Sequence, residues 1–207
     1  MKVTYIDHMG SDLTVVNAAR VSFAKHHDNF DDQDDAKLIR YLARHNHWSP
    51  FAHAFISFRI QAPIFVARQL QKHTVGLAWN EVSRRYVDDA PTFFTPDSWR
   101  GKAENVKQGS SDHIVTPVYE GYDRLIETAE YVYKKMIEKG ICPEQARMIL
   151  PQSMNTEWIW SGSLYAFSRV VNLRADSHTQ RETQFIANEI KSYLIDLFPV
   201  SMEAICP

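Results

Sequence analysis

Glycine and cysteine are scarce in this 207-residue chain, and their scarcity excludes several common kinds of site. No two of the seven glycines are separated by a single residue, so the sequence contains neither G-x-G-x-x-G nor a P-loop. If a nucleotide binds, arginine side chains and helix termini must hold it. The two cysteines, Cys142 and Cys206, form no C-x-x-C, which argues against a structural disulfide or zinc site and predicts a cytoplasmic location.

Strong net charge and long apolar runs are also missing. The formal net charge is -2, so no global basic field predicts a nucleic-acid partner. No apolar run approaches the roughly 18 residues that a membrane span needs, and the N-terminus lacks the apolar core of a signal peptide. With 44% hydrophobic residues, the chain has the composition of an ordinary globular protein, and we expect one domain over residues 1–207.

Hydrophobic periodicity predicts a mixture of helices and strands. Ser11 is a predicted N-cap, Pro63 suits the first turn of a helix, and Gly140 suits the C′ position that ends one. The expected strands are 2–7, 51–62 and 156–163, and the expected helices are 12–23, 34–47, 64–73, 113–139, 143–150 and 164–198. Residues 88–111 form the longest predicted loop, a candidate lid or assembly arm. The predicted fold class is α+β.

Three histidines, His45, His47 and His53, lie within the segment HNHWSPFAH. Their spacing permits zinc ligation, and H-N-H also occurs in a nuclease motif, but three letters match often by chance. Ordinary polar or core histidines are the favoured interpretation. His53 is expected on the apolar side of a strand, facing an interior or a pocket.

Arginines supply the other candidates. Arg147 precedes a proline that stops a helix, where a surface role is the default expectation. Arg174 and His178 are four residues apart, which predicts one helix face. Because this helix is apolar on one side, Arg174 needs either a carboxylate partner, Asp176 or Glu182, or an anionic ligand.

The segment QLQKHTVGLAWNEVSRRY admits two interpretations. It can be an amphipathic helix followed by solvated arginines. Alternatively, Arg84 or Arg85 binds a phosphate through two N–H groups, the hydroxyl of Ser83 donates a hydrogen bond to it, and Glu81 orients the basic groups. No carboxylate pair, Ser-His-Asp trio or Cys-His pair stands out, so a site here predicts chemistry carried by a cofactor.

Taken in order, five motifs resemble those of the flavin-dependent thymidylate synthases, the ThyX family. They are SPFAHAFISF, APIFVARQLQKH, NEVSRRY, ARMILP and NLRADSHTQ, spread over about residues 15–190. The family's R-H-R-x7-S is replaced by Lys72-His73-Thr74 and eight residues before Ser83. Ala52 stands where the family has glutamate, and Ser163-Leu164-Tyr165 stands where it has N-x-R. Arg169 replaces an asparagine.

The resemblance implies which side chains bind the substrate. Arg174 is expected against the pyrimidine, where its guanidinium favours ionisation at N3 and activates C5. The other residues expected to hold deoxyuridine monophosphate (dUMP) are Gln69, Lys72, Glu81, Ser83, Arg84, Arg85 and Arg147. The residues expected around flavin and folate are His53, Lys72, His73, Thr74, Glu81, Ser163, Tyr165, Arg169 and His178. No metal is expected.

The resemblance also implies a reaction and an assembly. The expected reaction is reductive methylation of dUMP to dTMP, with 5,10-methylenetetrahydrofolate as carbon donor and NADPH reducing FAD. Family members are homotetramers whose sites combine several subunits, and their fold is a twisted, mostly antiparallel sheet flanked by helices. Three alternatives stay open: a hydroxymethyl product, a nucleotide-binding protein without flavin, and a histidine-metal hydrolase.

Overall fold

The chain folds into a four-stranded sheet packed against helices, with a separate two-stranded hairpin. A computed structural model describes residues 1–104, 109–116 and 121–206. The helices and strands are β1 (Lys2–Met9), α1 (Asp12–Arg20), α2 (Asp34–Arg44), β2 (Phe55–Pro63), α3 (Ile64–Leu70), β3 (Leu77–Glu81), β4 (Arg100–Lys102), β5 (Ser110–Ile114), α4 (Gly121–Glu138), α5 (Pro143–Ala146), β6 (Asn155–Ser163), α6 (Leu164–Arg174), α7 (Arg181–Leu197) and α8 (Pro199–Ile205).

The main sheet has the strand order β1-β2-β6-β3, with every pair antiparallel. Side chains alternate between its two faces, as the two-residue period of a strand requires. On the inner face, Phe58 lies opposite Trp160 and Ile60 lies opposite Trp158, and all four are buried. These two central strands therefore form the floor of the core.

Helix α6 covers this floor and carries the site arginine at its end. Phe167 packs edge-on against both Phe58 and Trp160, with ring centroids 5.2 Å apart in each pair. Burial of each such apolar side chain stabilises the fold by about 1.5–3 kcal/mol. Val170 and Val171 are also buried, so the helix is fixed up to its last residue, Arg174. The predicted α+β class and mostly antiparallel sheet are confirmed, whereas one domain over 1–207 stays a prediction.

The prediction of a strand over 51–62 is wrong in its first part. Residues Ser49–Ala52 form a 3₁₀ turn with Pro50 in its first turn, and the strand begins only at Phe55. The buried face consists of the even-numbered residues from Ile56 onward. His53 therefore lies outside the strand, exposed at the end of the 3₁₀ turn, and not on an apolar strand face.

The segment predicted as a loop over 88–111 contains strand β4 and the start of β5, which pair as a hairpin. The helix prediction over 113–139 is wrong for residues 113 and 114, which belong to β5, and the described helix α4 spans Gly121–Glu138. Residues 105–108 and 117–120, which fall within these two predictions, lie outside the described part of the chain. Gly140 has φ +80° and donates to the carbonyl of Ile137, as expected at C′.

The predicted helix through Arg174 and His178 is also wrong. Helix α6 ends at Arg174, and the chain turns before α7 begins at Arg181. Arg174 and His178 consequently do not share a helix face. Within the described residues, no helix is both long and apolar enough to cross a membrane.

Candidate active site

Arg174 is half-buried, and its hydrogen-bond partners within the described residues are neutral. Its Nε donates to Nε2 of His73 at 2.9 Å, and its Nη2 donates to the backbone carbonyl of Gln69 at 3.4 Å. The carboxylate partners expected from the sequence are wrong: Asp176 accepts from His178, and Glu182 accepts from Arg100. Among the described residues, Arg174 has no carboxylate partner. Its uncompensated charge favours an anionic ligand.

The contact with Arg174 defines the protonation of His73. The Nε of an arginine can only donate, so Nε2 of His73 must accept and the ring must carry its proton on Nδ1. Burial, together with the positive charges of Arg174 and Arg169, lowers the pKa of His73 below its ordinary value of 6.5. Hydrogen bonding and electrostatics therefore both favour a neutral imidazole.

This neutral imidazole predicts a pH dependence of stability. Because the pKa of His73 is lower in the folded chain, the unfolded chain binds more protons as the pH falls below 6.5. The contribution of His73 is fully present above pH 6.5 and is lost as the pH falls towards the lowered pKa. We expect the urea midpoint to fall between about pH 7.5 and pH 5.5, and to fall further in the wild type than in His73→Gln. These two pH values bracket the ordinary histidine pKa of about 6.5.

Glutamine is the matched variant because its carbonyl oxygen accepts from Arg174 but does not titrate. The other histidines are common to both proteins and cancel in the comparison. Equal losses of stability in the two proteins would contradict a lowered pKa at His73.

Arg174 opens onto a cleft of about 480 Å³. The described residues that line it are Gln69, Arg100, Gly109, Ser110, Arg174, His178, Thr179 and Gln180. Two arginines and no carboxylate are among them, so the lining suits an anion. The sequence predicted three of these residues, Gln69, Arg174 and His178. It missed Arg100, which lies in the supposed loop, and Gln180, the last letter of the quoted motif NLRADSHTQ.

The charge of Arg100, unlike that of Arg174, is balanced. Its Nη2 donates to both oxygens of Glu182, at 2.8 and 3.0 Å, and its Nε donates to the hydroxyl of Ser110 at 2.8 Å. A second ion pair joins Arg181 to Asp112. These contacts hold the β4–β5 hairpin against the start of α7. The hairpin thereby forms one wall of the cleft.

Glu81 and the basic residues after it lie at the end of β3. Glu81 accepts from the hydroxyl of Thr156 at 2.8 Å and from the indole of Trp79 at 3.1 Å. Ser83 accepts from Nε of Arg85 at 3.3 Å, while Arg84 donates to the carbonyl of Asp89. The NEVSRRY segment thus runs from the end of β3 into a turn at the edge of the sheet.

The remaining predicted substrate residues lie apart from the cleft within one chain. Arg147 is exposed in a 3₁₀ turn, with its Nε 3.4 Å from the carbonyl of Glu144. Lys72 and Thr74 are exposed in the turn after α3. The described lining of the Arg174 cleft includes none of Ser83, Arg84, Arg85 and Arg147. One chain brings together Gln69, His73 and Arg174, but not the predicted phosphate ligands.

Two of the three predicted flavin residues in and beside α6 line a second cavity. Ser163 caps the helix by accepting from the backbone N–H of Ala166 at 3.2 Å. Tyr165 packs on Trp48, with ring centroids 5.7 Å apart. A cavity of about 220 Å³ adjoins Tyr165 and Arg169. Its other lining residues are Leu42, Ala43, Asn46, His47, Trp48, Phe51, Ser168, Asn172, Ala204 and Ile205.

Aromatic faces beside an arginine suit a flat heterocycle that carries phosphates, so these residues fit a flavin dinucleotide. Trp48 was not predicted from the sequence, although its indole is half exposed next to Tyr165. His45 and His47 pack around the ring of Tyr41. The described part of the chain holds no group of three or more His, Cys, Asp or Glu residues that could bind a metal ion.

Comparison with known proteins covers nearly the whole chain. Residues 4–200 match the family model of the thymidylate synthase complementing protein, Thy1. A flavin-dependent thymidylate synthase from Pseudothermotoga lettingae is 36% identical over 202 residues, which cover 98% of this chain and 88% of that protein. One from Thermus thermophilus is 34% identical over 203 residues, covering 98% of this chain and 74% of that protein.

A solved structure is similar as well. The crystal structure of the UMP/dUMP methylase PolB from Streptomyces cacaoi, bound with 5-Br dUMP, superposes with a TM-score of 0.88 at 32% identity. The alignment covers 98% of this chain and 93% of that one. A second PolB structure, bound with 5-Br UMP, gives a TM-score of 0.82.

Proposed function

The chain belongs to the family of thymidylate synthase complementing proteins, the flavin-dependent thymidylate synthases, and we propose that it converts dUMP to dTMP by reductive methylation. The carbon donor is 5,10-methylenetetrahydrofolate. NADPH supplies the electrons, and FAD, when bound and reduced, supplies the hydride. The observation that carries this proposal is the half-buried Arg174, whose partners are both neutral.

Arg174 has a defined role in this reaction. As N3 of the pyrimidine ionises, negative charge spreads over the ring, and a fixed guanidinium nearby stabilises it. The carbon C5 becomes more nucleophilic as a result. Neutral His73 holds the guanidinium through Nε, and the carbonyl of Gln69 holds it through Nη2. The cation is therefore oriented before substrate binds and needs little reorganisation during reaction.

The phosphate is proposed to bind Ser83, Arg85 and Arg147, with Lys72, Glu81 and Arg84 nearby. Because these residues lie apart from the Arg174 cleft in one chain, we propose that the site is completed by a second copy within a homotetramer. The outer face of the sheet supports this assembly. Met9, Phe55 and Ile159 expose apolar side chains there.

The flavin is proposed to bind Ser163, Tyr165 and Arg169, together with His53, His73, Thr74 and His178. Arg169 can balance phosphate charge, and Tyr165 offers an aromatic face. His73 also contacts Arg174, and its neutral state is important for that contact, because a protonated imidazole would repel the guanidinium. We further propose that the enzyme works in the cytoplasm, since Cys142 and Cys206 are both free thiols.

A single assay tests the function. Purified protein is incubated with dUMP, methylenetetrahydrofolate and NADPH, and the product is identified by mass. We expect dTMP, together with flavin absorbance near about 450 nm. A product with one oxygen atom more than dTMP, on the carbon attached to C5, would establish the hydroxymethyl alternative instead. A colourless protein that cannot be reconstituted with FAD would favour the flavin-free binding protein and contradict the proposal.

UMP is the informative second substrate in this assay. PolB is described as a UMP/dUMP methylase, and it is similar to this chain over nearly its full length. Parallel reactions with UMP and dUMP measure how strongly turnover depends on the 2′-hydroxyl of the sugar.

A further inference from the structure

Gln180 lies in the Arg174 cleft, and its side-chain amide is held in one orientation. The fully buried hydroxyl of Thr183 donates to Oε1 of Gln69 at 3.2 Å. The Thr183 hydroxyl has no other acceptor among the described residues, so this arrangement keeps its proton hydrogen-bonded. The amide nitrogen Nε2 of Gln69 then points the other way and donates to Oε1 of Gln180. This relay of two hydrogen bonds favours the orientation in which the amide oxygen of Gln180 faces Gln69.

This relay leaves one donor unused. The oxygen of the Gln180 amide is occupied by Gln69, while its Nε2 has no hydrogen-bond partner among the described residues. Although Gln180 is the N-cap of α7, its side chain does not cap the helix. The amide is thus free to serve a ligand without a structural cost to α7.

The groups that remain available in the cleft are mostly donors. Arg174 and Arg100 can only donate, and Gln180 offers an N–H. A uracil ring ionised at N3 presents three acceptors in a row, namely O2, N3 and O4. Cytosine replaces O4 with an amino group, which would face a second donor and leave both unsatisfied.

We propose that Gln180 is a specificity-determining residue, which donates from Nε2 to a pyrimidine carbonyl and so selects uracil over cytosine. This inference rests on the proposed function, because it requires that Arg174 binds the pyrimidine. The relay from Thr183 through Gln69 is the positioning device. It disfavours the turned-over amide, which could accept from a cytosine amino group, because the buried hydroxyl of Thr183 would then lose its acceptor.

Equilibrium binding of dUMP and dCMP to the oxidised, flavin-loaded protein tests the proposal. The wild type should bind dUMP more tightly than dCMP. Gln180→Met, which keeps the length of the side chain but has no donor, should weaken dUMP about tenfold, the loss of one good hydrogen bond. Its affinity for dCMP should not fall, so the dUMP-to-dCMP preference should drop about tenfold.

A second variant tests the relay without touching the cleft. Thr183→Val is nearly isosteric and releases Gln69, so the amide of Gln180 can turn over. We expect a smaller drop in preference, with dCMP binding improved. Gln33→Met, which changes an exposed glutamine at the start of α2, is the matched control and should leave both affinities unchanged.

The outcomes separate the inference from the function on which it rests. Equal weakening of dUMP and dCMP in Gln180→Met would assign Gln180 a merely structural role and overturn the inference. Equal binding of the two nucleotides by the wild type would also overturn it. If the wild type binds neither nucleotide, the proposed function fails together with the inference. Thermal unfolding of each variant confirms that a changed affinity does not reflect unfolding.

Discussion

Replacing Arg174 with alanine is expected to lower turnover of dUMP about a thousandfold, while the flavin stays bound. Removing one preorganised group that stabilises developing negative charge typically costs a factor of about 10²–10³ in rate. Here the loss is expected at the upper end, because the other guanidinium among the described lining residues, that of Arg100, is paired with the carboxylate of Glu182. Turnover is measured by dTMP formation, and bound flavin by absorbance.

Two further variants make this result specific. Arg174→Lys keeps the charge but loses Nε, and with it the bond to His73, so we expect it to restore only part of the rate. Arg40→Ala removes an exposed arginine that pairs with Glu203 away from the cleft, and it should turn over normally. Turnover of Arg174→Ala within about threefold of the wild type, well inside the range of an ordinary exposed interaction, would refute the activating role.

The sequence named three residues that the structure brings together, but not the partner of Arg174. Gln69, His73 and Arg174 were all candidates because they lie in recognisable motifs. The carboxylates nearest in sequence, Asp176 and Glu182, were the expected ion-pair partners. Helix α6 ends at Arg174, so these carboxylates belong to the following turn and to α7, where His178 and Arg100 engage them. Where a helix ends determines which neighbours in sequence become neighbours in space.

The hairpin shows a second limit of sequence-based prediction. Strands β4 and β5 have three and five residues, lie among prolines and glycines, and show no apolar alternation. They are held by the contact of Arg100 with Glu182, which is 82 residues away in sequence. Local preference could not reveal such a contact. By contrast, the strands at Phe55 and Asn155 alternate clearly, and the strand predicted over 156–163 is confirmed.

Gly162 lies where strands β3 and β6 approach too closely for a side chain on residue 162. It pairs with Leu77 across the β3–β6 ladder, and the backbone carbonyl oxygen of Gly76 occupies the space that a Cβ on residue 162 would need. A Cβ on residue 162 would be 3.2 Å from the α-carbon of Leu77 and in hard contact with that carbonyl oxygen. Because the obstacle is backbone, it cannot be relieved by a change of rotamer.

Gly162→Ala is therefore expected to push the start of β3 away from β6 and lower the free energy of unfolding by about 3 kcal/mol. The same shift displaces the turn between His73 and β3, so the contact of His73 with Arg174 and the turnover of dUMP should also suffer. Urea unfolding followed by tryptophan fluorescence measures the stability. Gly140→Ala is the matched control, since nothing lies within 4 Å of its added Cβ and only its φ of +80° opposes the change. That strain costs about 1–2 kcal/mol, so a loss in Gly162→Ala no larger than in Gly140→Ala would contradict the close approach of the two strands.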